Sequence, residues 1–559
     1  MTSVVTVGGV SVTTCGDVVG EGEAVLDRLV SDGVPRSLAR RSATLWGPDA
    51  AARLGWLDLP RASRALLERC AGRGAERVVV AGLGGSPAAA AAVAARLNAG
   101  VTVLDTTDPR EVAAALTEAP DLDRTHVVVA AGGGAEPTAD ALCRVAEEAF
   151  RAAGVDAADR FTVIADPGSP LVAAAQEAGR AFAPSDPGTA GAFDALGPSG
   201  LLPAALAGAD PGAVLDEAAA LGPVLDGTYD NPGLTLGAAL GAAALNGRDK
   251  LVLAGDGSGP SGVAGWVERL LGGTAGADAR GPLPVVAENV DAPGFAGDGP
   301  DPRDVRRLVL GGRAGSGGPA ALAVDGPLGA QFLLWQYAAA VAGRVLGVDP
   351  FARPGMRAAA DCTAALLRAE EGAAPTVISR APDLVCGAVE VHAPGGLPRG
   401  VRDLADAFDA LLAATPRRGC LTVTAYLDRL GDCRAAELRP LLAARAAART
   451  PASVAKRVAT RAARAAEPPA VAFGWGPSLP HATGRLHAGG GPPGTFLHLT
   501  GDAPGDVPVP GRPYTLGQLQ LAQAYGDLRA LRAAGRTALR LHLRDRAEGI
   551  AQLVEAVKS

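Results

Sequence analysis

The sequence predicts an α/β protein built from doubly wound parallel sheets, preceded by a mostly helical arm. From Glu76 onward, short runs of Val, Leu and Ala alternate with longer Ala-rich segments, and each short run is continuously apolar. Such runs are typical of parallel strands that are buried on both faces. The same layout starts again at Asp249, which indicates a second domain of similar architecture.

Composition and charge narrow the functional classes. The 559 residues, 48% of them hydrophobic, suffice for two or three domains. A net charge of -7 argues against a nucleic-acid partner, and we expect the basic segment from Lys456 to form a solvated helix face. No signal peptide and no membrane helix is predicted. Seven scattered cysteines without a CxxC pair indicate reduced, mostly buried thiols and a cytoplasmic protein.

The chain divides into four parts. Residues 1–70 form the arm, with a strand-like pair, helical patterns at 22–29 and 61–67, and two tryptophans, Trp46 and Trp56, that should pack it onto the next domain. The first α/β domain spans 71–230, the second spans 231–380, and a C-terminal α/β part spans 381–559.

Strands and helices are expected in a definite order. Strands of the first domain should begin near Val78, Val101, His126 and Phe161, with helices at 138–153 and 170–179. After a helical bridge at 201–225, the second domain should end in a long amphipathic helix at 326–346. The C-terminal strands are expected at 385–392, 420–426, 470–474, 495–500 and 538–543.

The Gly-rich turn after the first of these strands is the candidate binding loop. It reads Gly82-Leu83-Gly84-Gly85-Ser86 and leads into an Ala-rich helix. A helix N-terminus presents free backbone N–H groups and the positive end of the dipole, so an anion such as phosphate is the natural ligand. The loop lacks a P-loop lysine and the full GxGxxG spacing, and Ser86 could equally cap the helix.

Eight motifs, in order along nearly the whole chain, resemble the glucose-6-phosphate isomerase (phosphoglucose isomerase) family. The likeness is to the form found as a bacterial branch and as one half of transaldolase–isomerase fusions. The motifs are GLGGS at Gly82, IADPGSPL at Ile164, GLLPAALAGAD at Gly200, DNPGLTLGAALG at Asp230, DKLVLAGDGSG at Asp249, LGAQFLLWQYAAAVAGRVLGVDPFARP at Leu328, HATGRLHAGG at His481 and PGRPYTLGQLQLAQAYGD at Pro510.

This resemblance implies a fold, an assembly and a reaction. The fold would be two SIS-type sugar-phosphate domains, with the C-terminal part packed against the second. The protein would be a cytoplasmic homodimer that uses neither a cofactor nor a metal. Its reaction would interconvert glucose 6-phosphate and fructose 6-phosphate.

The resemblance also implies phosphate-binding residues. Gly84, Gly85 and Ser86 match the family's first phosphate loop. The second loop, normally rich in hydroxyl groups, reads AAGGGAEPTAD, and only Thr138 keeps a hydroxyl, one position away. The substituted positions are Ala131, Gly132, Gly133, Ala135 and Glu136. Each hydrogen bond lost to a charged phosphate is worth about 1.5–3 kcal/mol, so we expect weak phosphate binding.

The catalytic positions of the family are substituted as well. Ala192 stands where the family has Arg, and Gly273 where it has the proton-transferring Glu. Further substitutions are Asp194 for Ser and Ala277, Ala360 and Ala488 for Lys. An isomerase needs a positioned base and a cation for the enediolate. We therefore expect isomerase activity that is weak or lost, and the alternative is a non-catalytic sugar-phosphate-binding or regulatory homologue.

Some residues remain as replacement candidates. Glu268, one helix turn away from Gly273, is either a displaced base or a solvated face residue. His481 and His487, on a Gly-rich segment, are either ring-opening groups or structural histidines. Asp256 and Ser258 are expected to form a turn that also touches the cleft.

Overall fold

The computed structural model describes residues 1–42, 45–70, 74–131, 137–186, 188–189, 191–275, 280–296, 303–312, 320–352, 357–368, 381–449 and 468–559. Within these residues the strands form three sheets of five, six and six strands. Parallel pairs dominate all three sheets, with helices between the strands. The predicted fold class of doubly wound parallel-sheet α/β domains is confirmed.

The N-terminal arm begins with an antiparallel hairpin of β1 (Thr2–Val7) and β2 (Val10–Cys15). Strand β2 also pairs with residues 322–325, so the hairpin forms the edge of the second sheet. The helices of the arm are α1 (Asp17–Ser31), α2 (Val34–Ala39) and α3 (Leu59–Cys70). Trp56 is fully buried 5.4 Å from the Phe193 ring, which confirms that the arm packs on the following domain.

The first sheet is parallel throughout, in the order β4-β3-β5-β6-β7. Its strands are β3 (Arg77–Ala81), β4 (Val101–Leu104), β5 (Thr125–Ala131), β6 (Phe161–Ala165) and β7 (Ala181–Pro184). Its helices are α4 (Gly85–Leu97), α5 (Pro109–Val112), α6 (Pro137–Ala152) and α7 (Pro170–Glu177). The strand order reverses at β3, and ligands of such sheets bind at this switch point, beyond the carboxyl ends of the strands.

The second sheet has the order β1-β2-β11-β10-β8-β9. Its further strands are β8 (Lys250–Gly255), β9 (Leu283–Val286), β10 (Val305–Leu310) and β11 (Leu322–Asp325). The helices around it are α8 (Pro198–Leu206), α9 (Gly212–Leu225), α10 (Pro232–Leu245), α11 (Val263–Gly273), α12 (Leu328–Leu346) and α13 (Arg357–Arg368).

Helix α12 differs from the prediction. It was expected to be amphipathic, but every residue from Leu328 to Gly343 is buried. Helices α9 and α10 pack closely along it, with Gly237 of α10 against Val341. A helix that is buried all round belongs in the core, and the two glutamine side chains in this stretch, Gln331 and Gln336, are hydrogen bonded there.

The third sheet has the order β12-β13-β17-β16-β14-β15. Its strands are β12 (Leu384–Cys386), β13 (Val389–His392), β14 (Cys420–Tyr426), β15 (Ala470–Trp475), β16 (Gly494–Gly501) and β17 (Thr537–Leu543). Its helices are α14 (Leu404–Ala414), α15 (Leu438–Ala448), α16 (Ser478–Ala488), α17 (Leu516–Ala533) and α18 (Arg546–Lys558). The single strand predicted at 385–392 is instead a hairpin that turns at Gly387, where φ is 58°.

The C-terminal part packs against both preceding units. Cys420, Ala472 and Leu486 share an apolar cluster with the second sheet, as the resemblance implies. Leu516 and Leu519 of α17 join the core of the first sheet. The third sheet thus closes over the carboxyl edge of the first.

Two compositional expectations can be compared with the structure. Of the six cysteines whose side chains are described, Cys143 and Cys420 are buried and the other four are not, so the expectation of mostly buried thiols is wrong. No helix in the described ranges is both long and apolar enough to cross a membrane. The basic segment from Lys456 lies outside the described residues.

Candidate functional site

The loop after β3 bends sharply into helix α4. Gly84 has φ of 99°, in the region that favours glycine, and it occupies the N-cap position of the helix. A Cβ added at Gly85 would lie only 2.4 Å from the Cβ of Ala192. Residue 192 therefore covers the first turn of α4.

Ser86 does not cap its helix. The N-cap of α4 receives no side-chain hydrogen bond, so the capping alternative is wrong. The Ser86 hydroxyl instead donates to the carbonyl oxygen of Gly191 at 3.1 Å. This bond ties the 3₁₀ turn Gly191–Asp194 to the loop, and Gln336 adds a bond from its Nε2 to the Ala192 carbonyl at 3.0 Å.

His481 lies directly against the loop. A Cβ added at Gly84 would be 3.2 Å from both Cδ2 and Nε2 of the His481 ring. His481 is exposed, and both histidines of the Gly-rich segment lie on helix α16. Helix α16 thereby carries an imidazole to the N-terminus of α4.

His487 points elsewhere. It is 6% exposed, its ring lies 5.0 Å from that of Phe496, and it lines a separate cavity over the third sheet. Burial, with smaller contributions from Arg536 and His498, lowers the pKa of His487 to about 3. A neutral histidine in that environment is a core residue, so the structure brings only His481 to the loop.

Glu268 is buried, which contradicts its interpretation as a solvated face residue. Only 6% of the residue is exposed, and burial raises its pKa to about 7 despite the charge of Arg269. The nearest cationic atom is Arg269 Nη1, 3.6 Å from Glu268 Oε2. Within the described part of the chain, no group donates a hydrogen bond to this carboxylate.

Arg269 links helix α11 to both neighbouring units. Its Nη2 donates to Ser478 Oγ of α16 at 2.9 Å and lies 3.4 Å from Asp105 Oδ2 at the end of β4. Its Nη1 donates to the Gly265 carbonyl at 3.0 Å. Its Nε is buried and has no hydrogen-bond partner among the described residues. The sequence analysis missed Arg269, although it directly follows Glu268.

Asp105, which follows strand β4, is a buried carboxylate that contacts both Arg269 and Arg429. Burial alone would raise its pKa, but Arg429 and Arg269 outweigh burial and hold the pKa of Asp105 below its usual value. Arg429 Nη1 lies 2.6 Å from Asp105 and its Nη2 lies 2.6 Å from Glu111. Burial raises the pKa of Glu111 to about 6, against the opposing effect of Arg429.

Thr138, the one hydroxyl kept from the second phosphate loop, is fully buried. Its Oγ1 accepts a hydrogen bond from Gln523 Nε2 at 2.8 Å, and the Oε1 of Gln523 accepts one from Thr107. A phosphate could reach Thr138 only by displacing Gln523. The neighbouring positions 132–136 lie outside the described residues.

The other family positions are scattered. A Cβ added at Gly273, at the end of α11, would meet nothing within 4 Å. Asp194 is buried and accepts hydrogen bonds from Ser199 N at 3.0 Å and Thr189 Oγ1 at 3.2 Å, while burial raises its pKa to about 6. Ala360 is exposed on α13, Ala488 ends α16, and Ala277 lies outside the described residues.

The Gly-rich loop of the second sheet is a turn, as expected. Ser258 Oγ donates to Asp256 Oδ1 at 2.6 Å and accepts a hydrogen bond from the Gly312 N–H at 3.1 Å. In the described ranges no three His, Cys, Asp or Glu side chains are arranged to hold a metal ion.

Taken together, these elements define a class of protein: a multi-sheet doubly wound α/β protein whose glycine loop, helix N-terminus and histidine meet at the switch point of the first sheet. Two solved structures share this fold. They are a hypothetical protein from Thermus thermophilus (TM-score 0.51, 20% identity, 64% of this chain and 97% of the other) and a glucose-6-phosphate isomerase from Chlamydia trachomatis (TM-score 0.50, 14% identity, 67% and 92%).

Two proteins are similar to this chain in sequence, each over part of its length. The probable glucose-6-phosphate isomerase of Natronomonas pharaonis is 32% identical over 280 residues, 48% of this chain and 63% of that protein. The probable glucose-6-phosphate isomerase of Haloarcula marismortui is 30% identical over 218 residues, 38% and 50% respectively. The matches thus span between half and two thirds of these relatives. No protein-family model matches the chain. The chain is thus similar in sequence to part of two probable glucose-6-phosphate isomerases, in line with the resemblance of its motifs.

Proposed function

We propose that the protein binds a sugar phosphate at the Gly84–Ser86 loop and interconverts glucose 6-phosphate and fructose 6-phosphate at a much reduced rate. The proposal rests on the residues that meet at the N-terminus of helix α4. Loop, helix N-terminus and His481 are in place, while Ala192 and Gly273 occupy the family's cation and base positions. The loss of a positioned base lowers rates by about 10²–10⁴-fold.

A second candidate function is a non-catalytic sugar-phosphate-binding or regulatory homologue. Two observations favour it. The Ser86 hydroxyl is already bonded to Gly191, and the methyl group of Ala192 covers Gly85. Both reduce the number of groups that a phosphate could meet without a rearrangement.

A coupled assay for fructose 6-phosphate conversion tests the proposal. We expect a kcat well below the ordinary value of about 10 s⁻¹ and above the rate of a blank without protein. A rate near the ordinary value would contradict the proposed loss, and no rate at all would favour the non-catalytic homologue. The double variant Gly273→Glu with Ala192→Arg should raise the rate, since the space beside residue 273 is open.

The remaining expectations belong to this proposal. A homodimer in the cytoplasm, a small-molecule ligand and the absence of a nucleic-acid partner follow from the resemblance and the charge of -7. The kinship with the transaldolase–isomerase branch also stays a prediction. Sedimentation of the full chain would test the homodimer.

A further inference from the structure

Helix α11 carries both the vacant family position and a buried carboxylate. Gly273 ends the helix, and Glu268 precedes it by five residues, about 7.5 Å along the helix axis. The helix starts beside α4, where a Cβ at Gly262 would lie 3.0 Å from Ala92 Cβ. It ends beside α16, where a Cβ at Gly272 would lie 2.8 Å from the Ala482 carbonyl oxygen. Glu268 therefore lies between the helix that forms the loop and the helix that carries His481.

The carboxylate of Glu268 is unusual for a buried group. Buried carboxylates are normally hydrogen bonded, because an unpaired buried charge is costly. Asp194, at a similar depth, accepts two hydrogen bonds, and Glu111 is paired with Arg429 at 2.6 Å. Glu268 has only the 3.6 Å contact with Arg269 within the described residues. A buried carboxyl group with a raised pKa and a single charged neighbour is a candidate for function.

The guanidinium beside Glu268 is firmly held. Ser478 and Asp105 fix one end of Arg269, and Gly265 fixes the other nitrogen. Its Nε–H is buried and has no hydrogen-bond partner within the described residues. Ser478 lies one helix turn before His481, whose ring lies against Gly84. A base, a fixed cation and an imidazole thus lie on adjacent elements at one edge.

We propose that Glu268 and Arg269 have taken over the roles of the lost family base and cation. This inference rests on the proposed isomerase function. The Glu268 carboxylate removes the proton from C2 of the open-chain aldose, the C2–H electron pair forms the C1=C2 bond, and the carbonyl π electrons move to O1. Arg269 stabilises the resulting enediolate. The protonated Glu268 then returns its proton to C1 while a proton passes from O2 to O1. The ketose forms without a co-reactant.

The test compares variants of the full-length protein by three measurements: calorimetric binding of glucose 6-phosphate, turnover, and deuterium exchange at C2 by NMR in D₂O. Glu268→Gln should lower turnover and exchange by about 10²–10⁴-fold and leave binding unchanged. Glu268→Asp should restore part of both. Glu111→Gln is the matched control, because Glu111 is also buried with a raised pKa but is paired with Arg429.

The pH profile supplies a second readout. Arg269 contacts Glu268 and in turn contacts Asp105, and the elements that pack against α11 carry Asp194, in the 191–194 turn, and His481, on α16. If Glu268 is the base, wild-type turnover should rise through about pH 7, and Glu111→Gln should keep that rise.

The outcomes separate the two proposals. Turnover and exchange that persist unchanged in Glu268→Gln would overturn the role of Glu268 and leave the isomerase function standing. Wild-type protein that binds glucose 6-phosphate without turnover or exchange would overturn both. Arg269→Met should lower turnover and move the rise of the pH profile to higher pH, because the charge of Arg269 lowers the pKa of Glu268. An unchanged rate would overturn the role of Arg269.

Discussion

Two groups of buried charge meet near Asp105, and they are built differently. On one side, Asp108, Asp432 and Arg546 form the junction between the first and third sheets. Asp108 accepts bonds from Arg546 at 2.7 Å, from Gln520 and from two backbone N–H groups. Arg546 also bonds Asp432 at 3.1 Å and the Asp502 carbonyl at 2.8 Å. In this junction the carboxylates accept hydrogen bonds from a guanidinium group, and the guanidinium group donates to carboxylate and carbonyl oxygens.

On the other side, Glu268 has one distant cation and no hydrogen bond within the described residues. Both groups are buried, so burial alone does not distinguish a structural charge from a functional one. The two groups differ in their hydrogen-bond partners. A network in which every polar atom has a partner rigidifies the fold. A buried carboxyl group with few partners and a raised pKa is a candidate for function. The comparison therefore assigns the junction to stability and helix α11 to chemistry.

The junction should respond most strongly to substitution. Arg546→Met removes the cation that pairs with Asp108 and one of the two that pair with Asp432, which keeps Arg110, and breaking a buried pair costs about 3–5 kcal/mol. The urea midpoint of the full chain should fall accordingly. Arg124→Met, which removes a solvent-exposed pair with Glu76, is the control and should leave the midpoint nearly unchanged. Similar midpoints for both variants would contradict the structural role of the junction.

The burial of Glu268 in helix α11 should make the stability of the protein depend on pH. The folded pKa of Glu268 is about 7 and its ordinary value is 4.5, so the folded state binds the extra proton between these values. The free energy of unfolding should therefore decrease as pH rises from about 4.5 to 7, by on the order of 3 kcal/mol.

The variant Glu268→Gln removes the contribution of Glu268 to this dependence, while Asp194 and Glu111, whose pKa values are also raised, keep theirs. It should be more stable than wild type at pH 8 and similar to it at pH 4, as followed by urea unfolding. Glu23→Gln, on the exposed face of α1, should keep the wild-type dependence. A Glu268→Gln variant that loses stability at pH 8 would show that the carboxylate is satisfied after all.

Much of this architecture could be predicted from the sequence. The strands at Val78, Val101, His126 and Phe161 are confirmed because buried parallel strands are continuously apolar, a local signal. The strand-like pair at the N-terminus was predicted, but its place at the edge of the second sheet was not, because its pairing with β11 joins residues about 310 apart in sequence.

The site was harder to predict than the fold. Family motifs located Gly84 and the substituted positions, but the sequence left Glu268 as either a displaced base or a solvated face residue. Its burial depends on α4 and α16, which pack on either side of α11 from distant parts of the chain. Arg269 acquires its role only through contacts with Asp105 and Ser478. One signal was available: Asp105 directly follows strand β4, at the carboxyl edge of the sheet where ligands bind.

Ser86 should give the smallest effect. Its hydroxyl donates only to Gly191, so Ser86→Ala should reduce stability by about 1 kcal/mol. If the hydroxyl also turns towards a phosphate, calorimetry should show weaker glucose 6-phosphate binding. Ser169→Ala is the matched control, because Ser169 caps α7 through the Val172 N–H and should lose similar stability without affecting binding. Equal binding by the two variants would limit Ser86 to holding the 191–194 turn, and the anion would then depend on backbone N–H groups alone.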